Sequence, residues 1–168
     1  NVSNLIDNRA GSILHGGTQL TVNGIGLDNR GGESSSNGIS TITVRGDASL
    51  LNNEGVLQGN AGLMVNSSGL DNSNGQVLSD GLIALQMNNN VLLNKNGVIE
   101  TIGTISIESA ASLDNSDGKI LANGDLTLAL MDGLLTNSRG LIESGSDIEI
   151  SGASAVLNQD GVLRASKN

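Results

Sequence analysis

The residues able to do chemistry in this chain are a set of turn carboxylates and a single imidazole. Asp7, Asp28, Asp71 and Asp114 each stand directly before an Asn. Carboxylates gathered in a groove can serve as the acid and base of a polysaccharide lyase or hydrolase, or hold calcium. Both chemistries need the acids side by side, and the equivalent places elsewhere hold Leu51, Leu93 and Thr136. The acidic column is therefore expected to be broken. Sugar grooves commonly use aromatic platforms, and the chain has no Phe, Tyr or Trp. Neither the Gly-Gly-x-Gly-x-Asp nonapeptide of calcium-binding β-rolls nor an EF-hand loop occurs. His15 is the only histidine and stands in Leu14-His15-Gly16-Gly17, which reads as a solvated corner. Met64, Met87 and Met131 read as core filling or loop packing, and Asn88-Asn89-Asn90 as a polar corner.

Composition narrows the field further. A net charge of −9 with no basic cluster argues against nucleic acid, whose phosphates need a positive stripe. The lack of Cys removes disulfides and thiolate zinc sites. No catalytic, metal-ligating or cofactor-binding residue and no small-molecule substrate is expected. No apolar run reaches the length of a membrane span, and Asn1-Val2-Ser3-Asn4 does not read as a signal peptide. The apolar content is nearly all Leu, Ile, Val and Ala, which suits thin repeated layers of one small cross-section better than a globular core built on rings.

The elements that position these residues emerge from self-similarity. Glycines at 11, 32, 55, 75, 97, 118, 140 and 161 mark eight copies of 20–23 residues. Three residues before them stand Asn8, Asn29, Asn52, Asn72, Asn94, Asn115, Asn137 and Asn158. Asn fills 22 of 168 positions, so chance would place it there about once in eight. Five residues before each anchor the side chain is aliphatic, from Ile6 and Leu27 to Leu135 and Val156. Two residues after it come Ile13, Leu57, Val77, Ile99, Ile120, Ile142 and Leu163, with Ser34 the exception.

An apolar-x-apolar pair follows in seven copies: Leu20/Val22, Ile42/Val44, Leu63/Val65, Ile83/Leu85, Ile105/Ile107, Leu126/Leu128 and Ile148/Ile150. Period-two alternation over short segments predicts half-buried strands, and the Gly before many of these pairs predicts a corner. Each copy is strand, Asn turn, strand, Gly turn, strand and loop. No copy buries its apolar residues alone, so the copies stack. The spacing predicts an all-β chain, a parallel β-helix (solenoid) of about eight coils, rising by about 4.8 Å each to a rod of about 38 Å. The extra residues of the second copy are placed in Ser34-Ser35-Ser36-Asn37. The Asn column is assigned a structural role, because Asn tolerates the left-handed conformation of a sharp corner and its amides can bond from coil to coil.

The unit Leu-Asp-Asn-x-x-Gly stands as Leu27-Asp28-Asn29-Arg30-Gly31-Gly32, Leu70-Asp71-Asn72-Ser73-Asn74-Gly75 and Leu113-Asp114-Asn115-Ser116-Asp117-Gly118. A strand such as Lys119-Ile120-Leu121-Ala122 and then Asn123-Gly124-Asp125-Leu126-Thr127-Leu128 follows. This resembles the haemagglutinin repeats of the filamentous haemagglutinin family, over residues 5 to 165. That family includes two-partner secretion exoproteins and contact-dependent growth inhibition toxins of Gram-negative bacteria. The resemblance implies a right-handed helix, export through an outer-membrane secretion partner, and display at the cell surface. The family's secretion domain carries an Asn-Pro-Asn-type motif, and this chain has no Pro. Residues 1–168 are thus expected to be one shaft segment of a longer exoprotein. Its function is expected to be spacing or presentation, with a cell-surface receptor or glycan as a further partner if one face binds.

Overall fold

The computed structural model describes residues 4–166, apart from the Ser109 side chain; Asn1–Ser3 and the last two residues lie outside the described part. The described residues are all β, wound into eight stacked coils. One sheet of eight parallel strands runs Ile13–Gly16, Glu33–Ser36, Val56–Gly59, Gln76–Ser79, Val98–Thr101, Lys119–Ala122, Leu141–Ser144 and Val162–Ala165. A thirteen-stranded sheet makes the other two walls. Its two arms join in the long strand Leu126–Thr136, which passes both walls without a break, paired with Ile148–Leu157. Between those two strands the register shifts at the bend, from Ala129 to Gly133 to Leu134.

Like residues stack because pairing is parallel and in register. One wall sends Leu14, Ser34, Leu57, Val77, Ile99, Ile120, Ile142 and Leu163 inward as one column. Another stacks Ile6, Leu27, Leu50, Leu70, Leu92, Leu113, Leu135 and Val156. From the second coil to the seventh these aliphatics are buried, Leu50, Leu57, Ile99, Leu113 and Ile142 all to 0% exposure. Each such side chain removed from water contributes about 1.5–3 kcal/mol.

Three details of the sequence reading are corrected by the register. Ile13 is not in the core: it is 65% exposed, and Leu14 takes the inward place. The cause is one additional residue in the first Asn turn, where Gly11 sits at φ 81° and Ser12 occupies the place that Gly32 fills in the next coil. The second apolar pair is also displaced by two. Leu20 and Val22 stack on Ser40 and Ile42, and Val44 lies over Gly24. Finally, Ser34–Ser36 is no insertion. It is part of a buried strand paired in register on both sides. The additional residues bulge out at 45–49 instead: seven positions separate Thr43 from Leu50, against four from Asn66 to Leu70.

The anchor glycines are required by proximity rather than by backbone sign. A Cβ on Gly97 would overlap the Asn72 carbonyl oxygen of the preceding coil and lie 2.6 Å from Asn94 Oδ1. Gly11 has no coil before it among the described residues; a Cβ there meets nothing within 4 Å, and only its φ of 81° disfavours a side chain. Gly97→Ala should therefore cost at least about 3 kcal/mol as two coils are forced apart, and Gly11→Ala only about 1 kcal/mol. Chemical denaturation of the two variants checks this, and equal losses would contradict the close-approach account.

Candidate functional site

The best-defined constellation in the molecule is the Asn column. All eight predicted residues converge on it. Asn8 Nδ2 donates to Asn29 Oδ1, Asn29 to Asn52, and so on through Asn72, Asn94, Asn115 and Asn137 to Asn158, seven bonds of 2.6–2.8 Å. Each interior amide also donates within its own turn, as Asn72 Nδ2 does to the Gly75 carbonyl at 3.3 Å. A further bond crosses to the next coil, from Asn72 Nδ2 to the Val98 carbonyl at 3.2 Å. Asn29, Asn52, Asn72, Asn94, Asn115 and Asn137 are 0% exposed. A buried amide with all its groups bonded is stabilising, whereas an orphaned one costs its full desolvation.

The corner itself works differently from the sequence expectation. The ladder Asn residues do not take the left-handed conformation. Positive φ falls two residues later in every coil: Ala10, Gly31, Glu54, Asn74, Asn96, Asp117, Arg139 and Asp160. Those positions carry the turn and tolerate many residue types because their side chains point to solvent. The ladder position is fixed as Asn by its donor and its acceptor.

A second polar column was missed. Ser79 Oγ donates to the Gly59 carbonyl of the preceding coil at 2.6 Å and accepts from the Gly81 N–H at 3.0 Å. Thr101 repeats this with the Gly81 carbonyl and the Gly103 N–H, and Ser144 with Gly124 and Ser146. The signal in the sequence was a small or hydroxyl residue four places after the anchor, visible as Gly59, Ser79, Thr101, Ala122 and Ser144. In the second coil the hydroxyls extend into the core, with Ser36 bonded to Ser40 at 3.0 Å and Ser34 donating to Asn29 Oδ1 at 3.0 Å.

The carboxylates do not assemble. Asp7 lies beside Asp28, but Asp28 neighbours Leu51, and Leu93 separates Asp71 from Asp114. Each acid caps its own turn. Asp71 accepts from the Ser73 N–H and hydroxyl, and Asp114 does the same with Ser116. Asp7 and Asp28 are each gripped by both arms of a guanidinium two residues on, Arg9 and Arg30, at 2.7–2.9 Å. The Arg9 hydrogen bonds lower the Asp7 carboxyl to about 2, and those of Arg30 hold Asp28 below the ordinary carboxylate range. For Asp71 and Asp114 burial pushes upward, but hydrogen bonds from neighbouring side chains outweigh it. No three His, Cys, Asp or Glu side chains among the described residues converge to hold a metal.

His15 lies on a strand rather than in a corner, and it has a partner. Its Nδ1 is 3.0 Å from Ser35 Oγ, which donates to Glu33 Oε1 at 2.6 Å. The hydroxyl proton thus goes to Glu33 and the imidazole is the donor. A serine nucleophile needs the opposite polarity, with imidazole accepting that proton. Met87 fills the core at 0% exposure, while Met64 and Met131 face outward. Asn88 reaches back to Asn66 Oδ1 at 2.7 Å, and Asn89 takes a φ of 66° at the exposed corner. Comparison with family models, with curated proteins and with solved structures gave no match.

Two expectations follow. Asn72→Leu or Asn115→Leu removes one rung and orphans its neighbours, so stability should fall by about 1–3 kcal/mol; an unchanged melting midpoint would contradict the ladder's role. The second concerns pH. Asp28 has a folded-state pKa below its unfolded one, so its stabilisation is present above the unfolded value and is lost as pH falls through the folded value. Asp28→Asn should lower the melting midpoint at pH 7, and its gap to the unsubstituted chain should close below about pH 4. Melts from pH 7 to pH 2 read this directly, and a constant gap would contradict it.

Proposed function

We propose that this chain is a structural shaft segment of a secreted, cell-surface filamentous adhesin or contact-dependent inhibition exoprotein, and not an enzyme. The observation that carries the reading is the unbroken ladder of seven amide bonds, six of them buried, running with two continuous parallel sheets from the first coil to the last. Such an arrangement puts hydrogen bonds along the rod axis and an aliphatic column inside, which resists bending and stretching without any moving part. The repeat's likeness to haemagglutinin repeats supports the same reading. It brings with it a Gram-negative cell surface and an outer-membrane secretion partner. The turn acids support it too, since each is engaged in capping its own turn.

The second reading makes one face of the rod a receptor- or glycan-binding surface. It draws on the strand wall where Thr41, Thr43, Met64, Asn66, Ala84 and Gln86 line a shallow trough. Fluorescently labelled chain, titrated onto candidate target cells beside an unrelated β-helix of similar charge, separates the two. Binding no better than the control is expected. Saturable binding above the control would overturn the shaft-only reading and transfer recognition to this segment.

A further inference from the structure

The bulge at 45–49 gives the second coil residues that the coil itself does not need, and both of its ends are pinned. The Arg45 N–H donates to the Gly24 carbonyl of the first coil at 2.8 Å, and the Leu50 N–H to the Gly69 carbonyl of the third at 2.9 Å. Val44 is 3% exposed and Leu50 0%, and Ala48 packs against the core. The part that stands out is Arg45-Gly46-Asp47, all three residues exposed. A Cβ added to Gly46 would meet nothing within 4 Å, so the tip stands clear of the rod.

The charges of this tip are left open, against the habit of the rest of the molecule. Arg9, Arg30, Arg139 and Arg164 each grip a carboxylate. Arg45 is the remaining arginine, and among the described residues its guanidinium has no such partner. Distance along the chain is not the reason. Asp7 with Arg9 and Asp28 with Arg30 are also two residues apart, and each pair closes on itself with bonds of 2.7–2.9 Å. Between Arg45 and Asp47 stands Gly46 at φ 82°, a left-handed turn that keeps the two side chains from closing in that way. A guanidinium and a carboxylate are thus held side by side, exposed and unneutralised, on a short loop fixed to a rigid wall.

We propose that Arg45-Gly46-Asp47 is a receptor-binding loop whose partner is an integrin-type ectodomain, one that holds a divalent cation beside an acidic pocket. The Asp47 carboxylate supplies an oxygen ligand to the partner's cation. The Arg45 guanidinium pairs with a carboxylate of the pocket through two parallel N–H donors. Gly46 sets the angle between them, and the pinned ends leave little of the loop to be ordered on binding. The inference goes beyond the shaft reading and makes the rod the scaffold that presents the loop. The two fail separately. On cells without such receptors the rod is still expected to match its control, whereas the loop is tested on purified receptor with no cells present.

Surface plasmon resonance of residues 1–168 over immobilised ectodomains of the integrins that bind Arg-Gly-Asp peptides, in Mg²⁺ buffer, tests it. At least one ectodomain should bind saturably and release the chain in EDTA. A free Gly-Arg-Gly-Asp-Ser peptide should compete, and its Gly-Arg-Gly-Glu-Ser counterpart should not. Asp47→Glu keeps the charge and adds one methylene; it and Arg45→Gln should each weaken binding by about thirtyfold or more. Asp80→Glu, on an exposed corner elsewhere, should leave binding unchanged. Binding to none of the ectodomains would overturn the proposal. So would binding that persists in EDTA, or that keeps its full strength in Asp47→Glu. Should a variant lose its β circular dichroism, the EDTA and peptide arms decide on the unsubstituted chain.

Discussion

Everything in this molecule depends on how closely one Asn turn can sit on the next. The ladder amides are 2.6–2.8 Å apart, and the strand walls can be in register only if the turns hold that spacing. The anchor glycine is the condition for this approach, since a Cβ would overlap the carbonyl of the turn beneath. The Asn fills the remaining need. It alone among side chains of its size supplies a donor and an acceptor in one plane, so each rung is satisfied by the two beside it. Asp has no donor to pass on, and Ser has a single hydrogen. Inter-coil spacing, sheet register and buried polarity are thus set at one position of a repeat of about 21 residues.

The hydroxyl column at the opposite corner does the same work less strictly. Ser79, Thr101 and Ser144 each bind the carbonyl of the preceding corner, but Gly59 and Ala122 stand in the same column without a hydroxyl. Where the hydroxyl is missing, a backbone N–H reaches the preceding corner's carbonyl directly, Ala61 to Gly38 at 2.9 Å and Gly124 to Gly103 at 2.8 Å, whereas a ladder amide at 0% exposure has no such substitute. Strictness therefore follows whether another partner is within reach. The same rule explains the second coil, where Ser34 and Ser40 replace aliphatic residues without leaving unpaired groups. Ser34 bonds to the ladder, and Ser40 to the Gln58 carbonyl at 2.6 Å.

Charge plays a local part. Arg9 and Arg30 neutralise Asp7 and Asp28 within their own turns, and Lys95 meets Asp114 at 3.1 Å. Arg139 meets Asp117, and Arg164 meets Glu143, each across one coil step. Apart from Asp28, whose carboxylate is buried against the turn, these groups sit on the outside of the rod, where solvent screens an ion pair and leaves it little effect on stability. They trim repulsion in a chain of net charge −9 rather than hold the coils together.

The sequence by itself determined the number of coils, the parallel stacking and the whole Asn ladder. Those follow from identity repeated at a fixed position, and a stack transmits identity directly into contact. It also determined that the acids at turns would not line up, because Leu51, Leu93 and Thr136 interrupt them in any register. What it left open was decided by a single residue at a time. Whether Ile13 or Leu14 faces inward turns on one additional residue at Gly11, and side chains on a strand swap faces with every one-residue slip. The second coil's pair slips by two for a related reason: alternation alone does not say whether Ser40 or Val44 completes it. Only the neighbours above and below, Leu20 with Val22 and Leu63 with Val65, fix that choice. The bulge at 45–49 and the partner of His15 likewise come from contacts about twenty residues away, which periodicity cannot see. Repetition made the architecture readable in one dimension, and register, which is a relation between coils, existed only once they were stacked.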